Sequence, residues 1–83
     1  MQGDYATALA ELRPAVWEGD PRAQVLLGRM YQTELGVAKD MSLAVYWYRK
    51  AAEQGYQIAQ FSLGTLYRKG EGVPKSYVEA AKW

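Results

Sequence analysis

The chain has 83 residues, enough for one small domain, and its 10 basic and 9 acidic residues give a net charge of +1. This balance provides no bulk attraction to nucleic acid or to anionic lipid, and no apolar stretch is long enough to span a membrane. The absence of cysteine and histidine excludes disulfides, the usual zinc sites and the histidine-dependent nucleophilic mechanisms.

The first predicted helix covers about residues 4–18. The segment 4–20 repeats the pattern of residues 40–56, with identical residues at five positions. These positions are Asp4/Asp40, Ala8/Ala44, Arg13/Arg49, Ala15/Ala51 and Gly19/Gly55. Pro14 lies inside the helix and removes one backbone hydrogen bond, so we expect a kink there.

The second predicted helix covers about residues 21–33. Asp20 is a suitable N-cap, and Pro21 suits the first helical position, where its missing N–H is not needed. An apolar stripe at helical spacing predicts the buried side. Its members are Ala23, Leu27, Met30 and Tyr31. Gly28 costs helix stability, about 1 kcal/mol relative to alanine, and predicts a close approach of the small residues Ala51 and Ala52 from the next helix.

The third predicted helix covers about residues 40–54, with Asp40 as its N-cap and Gly55 as its C-terminal stop. Its apolar stripe indicates a second buried helix face. The members of this stripe are Ala44, Trp47, Tyr48 and Ala51.

The chain then repeats this helix pair. A helix at about 57–69 precedes another that begins near Ser76, where Ser76-x-x-Glu79 is typical of a capping box. In each copy the link between the helices contains glycine followed by a valine, Val37 or Val73, that can fold onto the core. Because the glycine-rich link follows a helix and not a strand, it does not predict a nucleotide-binding loop.

A shift of 36 residues aligns the chain with itself without a gap. Between 20–47 and 56–83, ten of 28 positions are identical. They are Ala23/Ala59, Gln24/Gln60, Leu27/Leu63, Gly28/Gly64, Tyr31/Tyr67, Gly36/Gly72, Val37/Val73, Lys39/Lys75, Ala44/Ala80 and Trp47/Trp83. This period predicts an all-α fold of about five helices, an α/α solenoid in which antiparallel helix pairs stack because one pair cannot bury its apolar face alone.

Together these residues resemble the Sel1-like repeat, a relative of the tetratricopeptide repeat. The family pattern appears at Ala23, Leu27, Gly28, Tyr31, Gly36, Val37, Asp40, Ala44, Trp47, Tyr48, Lys50, Ala51, Ala52 and Gly55, and returns at Ala59, Leu63, Gly64, Tyr67, Gly70, Gly72, Val73, Ala80 and Trp83. Glu34 and Ser76 depart from it, which affects the shape of the loops. The resemblance implies a right-handed superhelix and an adaptor or scaffold that binds other proteins. The tetratricopeptide repeat itself, with a period of about 34 residues, is the alternative.

The repeats divide the chain into a half-repeat at 1–19, a repeat at 20–55 and an incomplete repeat at 56–83. Because the terminal copies are incomplete, we expect a fragment of a longer repeat protein. Open solenoid ends expose apolar surface, so self-association as a homodimer or by helix exchange is the alternative to the adaptor function.

The resemblance places the first helix of each pair on a concave inner face. Outside the apolar stripe, each of these helices leaves four residues on one side. This predicted partner-binding surface consists of Arg22, Val25, Arg29, Gln32, Ile58, Phe61, Thr65 and Arg68. Three arginines around apolar side chains favour an acidic, extended or helical peptide. The alternative is that the arginines are solvated and that Phe61 packs between repeats.

The carboxylates give no indication of catalysis. Asp4, Asp20 and Asp40 are explained as helix caps, and the others are expected on exposed faces and loops. We therefore expect no enzymatic activity, no cofactor, no metal site, and neither a nucleic-acid nor a membrane partner. The expected protein is soluble, and its compartment is left open between the cytoplasm and export from a bacterial cell.

Overall fold

The computed structural model describes residues 5–34 and 37–83. Within these residues the chain forms five α-helices and no strand, as the repeat pattern predicts. They are α1 (Tyr5–Trp17), α2 (Pro21–Thr33), α3 (Met41–Glu53), α4 (Gln57–Lys69) and α5 (Tyr77–Lys82). The predicted cap Asp4 and the link glycine Gly36 lie outside the described residues. The division into repeats at 1–19, 20–55 and 56–83 stays a prediction.

Side-chain caps start three of the helices where the sequence predicts them. A carboxylate oxygen of Asp20 accepts from the backbone N–H of Arg22 at 2.9 Å, and one of Asp40 accepts from that of Leu43 at 3.1 Å. The hydroxyl of Ser76 likewise accepts from the backbone N–H of Glu79. Each such cap satisfies a backbone donor that the helix itself leaves unpaired.

The capping box at the start of α5 is only half formed, which corrects the predicted reciprocal pair. The backbone N–H of Ser76 donates to the carbonyl oxygen of Tyr67 at 2.9 Å and is not available to the Glu79 side chain. The N–H of Asp40 makes the same bond to the carbonyl of Tyr31 at 3.0 Å. A bond from the following cap back to the preceding helix is thus part of the repeat.

Consecutive helices pack on one another, and α2 also contacts α4. One core cluster joins α2, α3 and α4, and a second joins α1 and α2. Val73 packs against the first cluster and Val37 against the second, as predicted for the two links. Helix α1 continues through Pro14 to Trp17, so the proline does not end the helix, and the expected kink stays a prediction.

Gly28 allows a close helix approach, but the residues that it meets differ from the predicted ones. A Cβ atom on Gly28 would lie 3.1 Å from the Tyr48 ring and 3.2 Å from the carbonyl oxygen of Ala44. The prediction that Ala51 and Ala52 form the matching surface is therefore wrong for this contact. The atoms nearest to Gly28 belong to Ala44 and Tyr48, which lie about two turns and one turn before Ala51 on α3.

Candidate partner-binding surface

Five of the eight predicted surface residues are exposed on α2 and α4, and two are half-buried. The exposed ones are Arg22, Arg29, Ile58, Phe61 and Arg68, and Thr65 is half-buried, as is Gln32. The exposed fraction is 51% for Ile58 and 75% for Phe61. Since α2 and α4 contact each other, the two helices lie side by side and can present these residues together.

Val25 is not part of this surface, which corrects the sequence prediction. It is only 4% exposed and belongs to the core cluster that joins α2, α3 and α4. The prediction assumed one buried stripe on α2. The helix has two, because Ala23 and Leu27 pack in the cluster with α1 while Val25 packs in the other cluster.

Gln32 is half-buried and already has a partner within the fold. Its amide oxygen accepts a 2.7 Å hydrogen bond from the hydroxyl of Tyr48 on α3. Burial raises the pKa of the Tyr48 hydroxyl, and the nearby guanidinium of Arg29 opposes this shift through its charge and a hydrogen bond. Gln32 therefore ties α2 to α3, at the edge of the predicted surface.

Leu26 belongs to the exposed face although the sequence analysis did not include it. Its side chain is 48% exposed. It lies four residues after Arg22 and three before Arg29, a spacing that places all three on one side of a helix. This spacing identifies Leu26 from the sequence, but the predicted surface left it out.

The arginines of this face differ in their partners. Arg22 approaches its own cap residue, with 3.7 Å between its Nε and a carboxylate oxygen of Asp20. Arg29 and Arg68, in contrast, have no carboxylate partner among the described residues. The surface thus presents two uncompensated guanidinium groups beside exposed apolar side chains.

Metal-binding clusters and membrane-spanning helices are two further features that would indicate a function. Within residues 5–34 and 37–83, no group of three acidic residues could hold a metal ion. No helix in those ranges is long and apolar enough to cross a membrane.

Comparisons with known proteins agree with the helical repeat. The family model described as Sel1 repeat matches residues 21–56 and 57–83. The crystal structure of a Sel1 repeat protein from Oxalobacter formigenes is similar, with 46% identity, a TM-score of 0.91 and 96% of this chain covered. A protective antigen of uropathogenic Escherichia coli with an SLR fold shows 41% identity, a TM-score of 0.86 and 90% coverage. This chain spans 33% of the first of these chains and 16% of the second. No curated protein matches.

Proposed function

The chain belongs to the Sel1 repeat family, and we propose that it is a non-enzymatic adaptor that presents one face of α2 and α4 to another protein. Repeats of this fold generally act as protein–protein interaction modules. The proposed partner is an acidic segment in an extended or helical conformation. The observation that carries the proposal is the presence of exposed apolar side chains beside arginines without a carboxylate partner among the described residues.

The apolar part of the surface consists of Leu26, Ile58 and Phe61. Single exposed apolar residues are normal on protein surfaces, but these three lie on two helices that contact each other. Complete burial of one leucine, isoleucine or phenylalanine side chain contributes about 1.5–3 kcal/mol. A partner that covers all three gains enough to offset part of the entropy that association costs.

The charged part of the surface contributes more to the choice of partner than to the affinity. An exposed ion pair contributes only about 0–1 kcal/mol, because water solvates both charges well. Complementary charge nevertheless accelerates encounter and disfavours partners of the wrong sign. Arg29 and Arg68 therefore favour a partner whose carboxylates flank its apolar side chains.

The test uses a fluorescein-labelled peptide with alternating leucine and glutamate, and a control peptide with glutamine in place of glutamate. We expect Arg29→Glu combined with Arg68→Glu to weaken binding of the acidic peptide at least about tenfold, roughly 1.4 kcal/mol. The single variant Arg68→Glu is also measured, because it keeps Arg29, whose guanidinium lies near the Tyr48 hydroxyl. Circular dichroism checks that each variant is folded.

The matched control carries the same change of charge elsewhere, at the exposed residues Lys39 and Lys82. Lys39→Glu combined with Lys82→Glu is expected to change the affinity by less than about threefold, since only long-range charge is altered. If both double variants weaken binding of the acidic peptide equally, the effect is one of overall charge, and the α2–α4 face is not the binding site.

Self-association is the second candidate function, and one observation favours it. Phe61 occupies the same position in the repeat as Val25, which is buried in the cluster with α3 and α4. An equivalent helix pair from a second copy could cover Phe61 in the same way. Light scattering over a wide concentration range distinguishes the two functions. A monomer supports the adaptor, and a dimer that Phe61→Ser dissolves supports self-association.

A further inference from the structure

A second cluster of exposed aromatic residues lies away from the α2–α4 face. Trp17, at the end of α1, is 81% exposed. Tyr46 on α3 is also exposed, and its ring meets that of Trp47 edge to face at a centroid distance of 4.9 Å. Tryptophan and tyrosine are the residue types most enriched where proteins bind partners tightly.

These aromatic side chains line a groove between α1 and α3. One pocket of about 80 Å³ has Leu9, Leu27 and Tyr31 among its walls, with Arg13 also lining it. A neighbouring depression of about 180 Å³ includes Tyr46 and Lys50. Val16, Trp17 and Trp47 line both, so the two depressions adjoin and together make up the groove, with one cation in each part.

The repeat itself does not require the exposed aromatic residues. Glu53 stands at the position of Trp17 in the next repeat, and Ala10 stands at the position of Tyr46 in the preceding one. Glu53 is exposed although α3 packs against both α2 and α4. A helix stacked on the other side of α1 would by the same geometry leave Trp17 uncovered. Phe61 differs from Trp17, because the counterpart of Phe61 in the preceding repeat, Val25, is buried, whereas Glu53, the counterpart of Trp17, is exposed.

Arg13 lacks the hydrogen bond that its counterpart in the following repeat, Arg49, makes. In the following repeat, Arg49 donates to the hydroxyl of Tyr67 and lies over its ring, 5.5 Å from the centroid. Arg13 and Tyr31 occupy the same two positions and line the pocket, but no hydrogen bond joins them. Among the described residues Arg13 has no carboxylate partner. Neither has Lys50, which lies over the ring of Tyr46.

We propose that this groove binds an acidic segment of a second partner protein, with an aliphatic side chain in the smaller pocket. A cavity of about 150 Å³ admits benzene, so a pocket of about 80 Å³ suits an aliphatic side chain such as valine or leucine better than the larger indole ring. A carboxylate on one side of that residue pairs with Arg13 in two-point geometry. A carboxylate on the other side meets Lys50, and Trp17 covers the peptide between them.

The proposed groove shares no residue with the α2–α4 face. Leu27 and Tyr31 belong to the stripe of α2 that packs toward α1, whereas Leu26 and Arg29 lie on the exposed side. The two proposals therefore stand or fall separately. If both hold, the chain can connect two proteins, one on each side of the helix array.

The experiment measures fluorescence anisotropy of a short labelled peptide in which one leucine is flanked by glutamates, with the remaining positions glycine and serine. We expect Trp17→Ala and Arg13→Ala each to weaken binding at least about fivefold, and replacement of the leucine by tryptophan to weaken it similarly. Val78→Ala on α5 is the matched control, because Val78 is as exposed as Trp17 and lies outside the groove. Its affinity should equal that of the unmodified chain.

Three results would overturn the proposal. The first concerns the affinity itself. It is either an unchanged affinity in Trp17→Ala, with the fold intact by circular dichroism, or the absence of saturable binding of the peptide to the native chain below about 1 mM. The second is loss of binding in Arg29→Glu with Arg68→Glu while Trp17→Ala binds normally, which would place the peptide on the α2–α4 face. The third is a dimer in light scattering that Trp17→Ala converts to a monomer, which would make a second copy of this chain the occupant.

Discussion

Gly28 and Tyr48 lie so close that a single methyl group on the glycine would touch the tyrosine ring, at 3.1 Å from its Cε1 atom. The carbonyl oxygen of Ala44 would lie 3.2 Å from the same methyl group. This contact sets the distance between α2 and α3. It also explains why the helix accommodates a residue that costs about 1 kcal/mol of helix stability.

Gly28→Ala is expected to lower the free energy of unfolding by about 1 kcal/mol. The gain in helix propensity, about 1 kcal/mol, is outweighed by crowding in a packed core, which typically costs about 1–3 kcal/mol. Urea unfolding followed by circular dichroism measures the change. An increase in stability would show that Tyr48 moves aside without cost.

Gly64→Ala is the matched comparison at the same repeat position. A Cβ atom there would meet the Ala80 carbonyl oxygen at 3.2 Å, but its next neighbour, the Cβ atom of Trp83, lies 3.9 Å away. Helix α5 has six residues and can shift more easily than α3. We therefore expect a change within about 0.5 kcal/mol, because the propensity gain offsets the crowding.

Tyr48→Phe is expected to lower the free energy of unfolding by about 1 kcal/mol. The change removes the hydrogen bond to Gln32 and leaves the half-buried amide oxygen without that donor. Tyr46→Phe is the control, since the Tyr46 side chain is exposed and its ring contact with Trp47 is retained. Equal effects of the two substitutions in urea unfolding would argue against a contribution from the Tyr48 hydroxyl.

The ionisation of Tyr48 is expected to make the fold less stable at high pH. Because burial raises the pKa of the Tyr48 hydroxyl above its usual value of about 10, the unfolded chain loses this proton first. Stability is then constant with respect to this group below about pH 10 and falls as the pH rises from there through the folded pKa. The difference in stability between the native chain and Tyr48→Phe should therefore shrink above about pH 10. A constant difference would contradict the raised pKa.

Arg49 and Arg13 occupy one repeat position but should respond differently to substitution. Arg49→Ala removes the hydrogen bond to Tyr67 and the cation–ring contact, for an expected loss of about 1–2 kcal/mol. Arg13→Ala removes no hydrogen bond within the described residues and should change stability by less than about 0.5 kcal/mol. Thermal unfolding of the two variants side by side measures the difference. Equal losses would mean that Arg13 supports the fold, and it would then be a poor reporter of the proposed groove.

The sequence predicts the helices of this protein well because most signals of the repeat occur twice, although the cap Asp20 has as its counterpart Tyr56, which makes no side-chain cap bond. Asp20 and Asp40 are caps by residue type, and the 36-residue shift aligns Gly28 with Gly64 and Trp47 with Trp83. What a period cannot specify is which side of a helix its neighbours cover. Val25 was expected at the surface because only one buried stripe was assumed for α2, whereas α2 packs against helices on two sides.

The groove between α1 and α3 illustrates the same limit for a surface. Nothing in the spacing of Trp17 and Trp47 indicates that they line one depression, since their positions depend on how two non-consecutive helices pack. The repeat does contain a usable signal, because tryptophan stands where the next copy has Glu53. A residue that departs from its counterpart toward a large, exposed aromatic side chain is a candidate for function even when its partners in space are unknown.

Val25 and Phe61 provide the sharpest test of the surface assignment, because they share a repeat position and differ in burial. Val25→Ala should lower the free energy of unfolding by about 2 kcal/mol, since it leaves a cavity in the cluster that joins α2, α3 and α4. Phe61→Ala should change it by less than about 0.5 kcal/mol, because the side chain is mostly exposed.

Binding should show the opposite order of effects. Phe61→Ala is expected to weaken binding of the peptide of alternating leucine and glutamate at least about fivefold, because it removes the largest apolar side chain of the α2–α4 face. Val25→Ala should bind the peptide within about twofold of the native affinity, when the affinity is measured well below the unfolding temperature of this variant. If Phe61→Ala instead destabilises the chain and leaves the peptide affinity unchanged, Phe61 contributes to association between helix pairs and the acidic-peptide surface must exclude it.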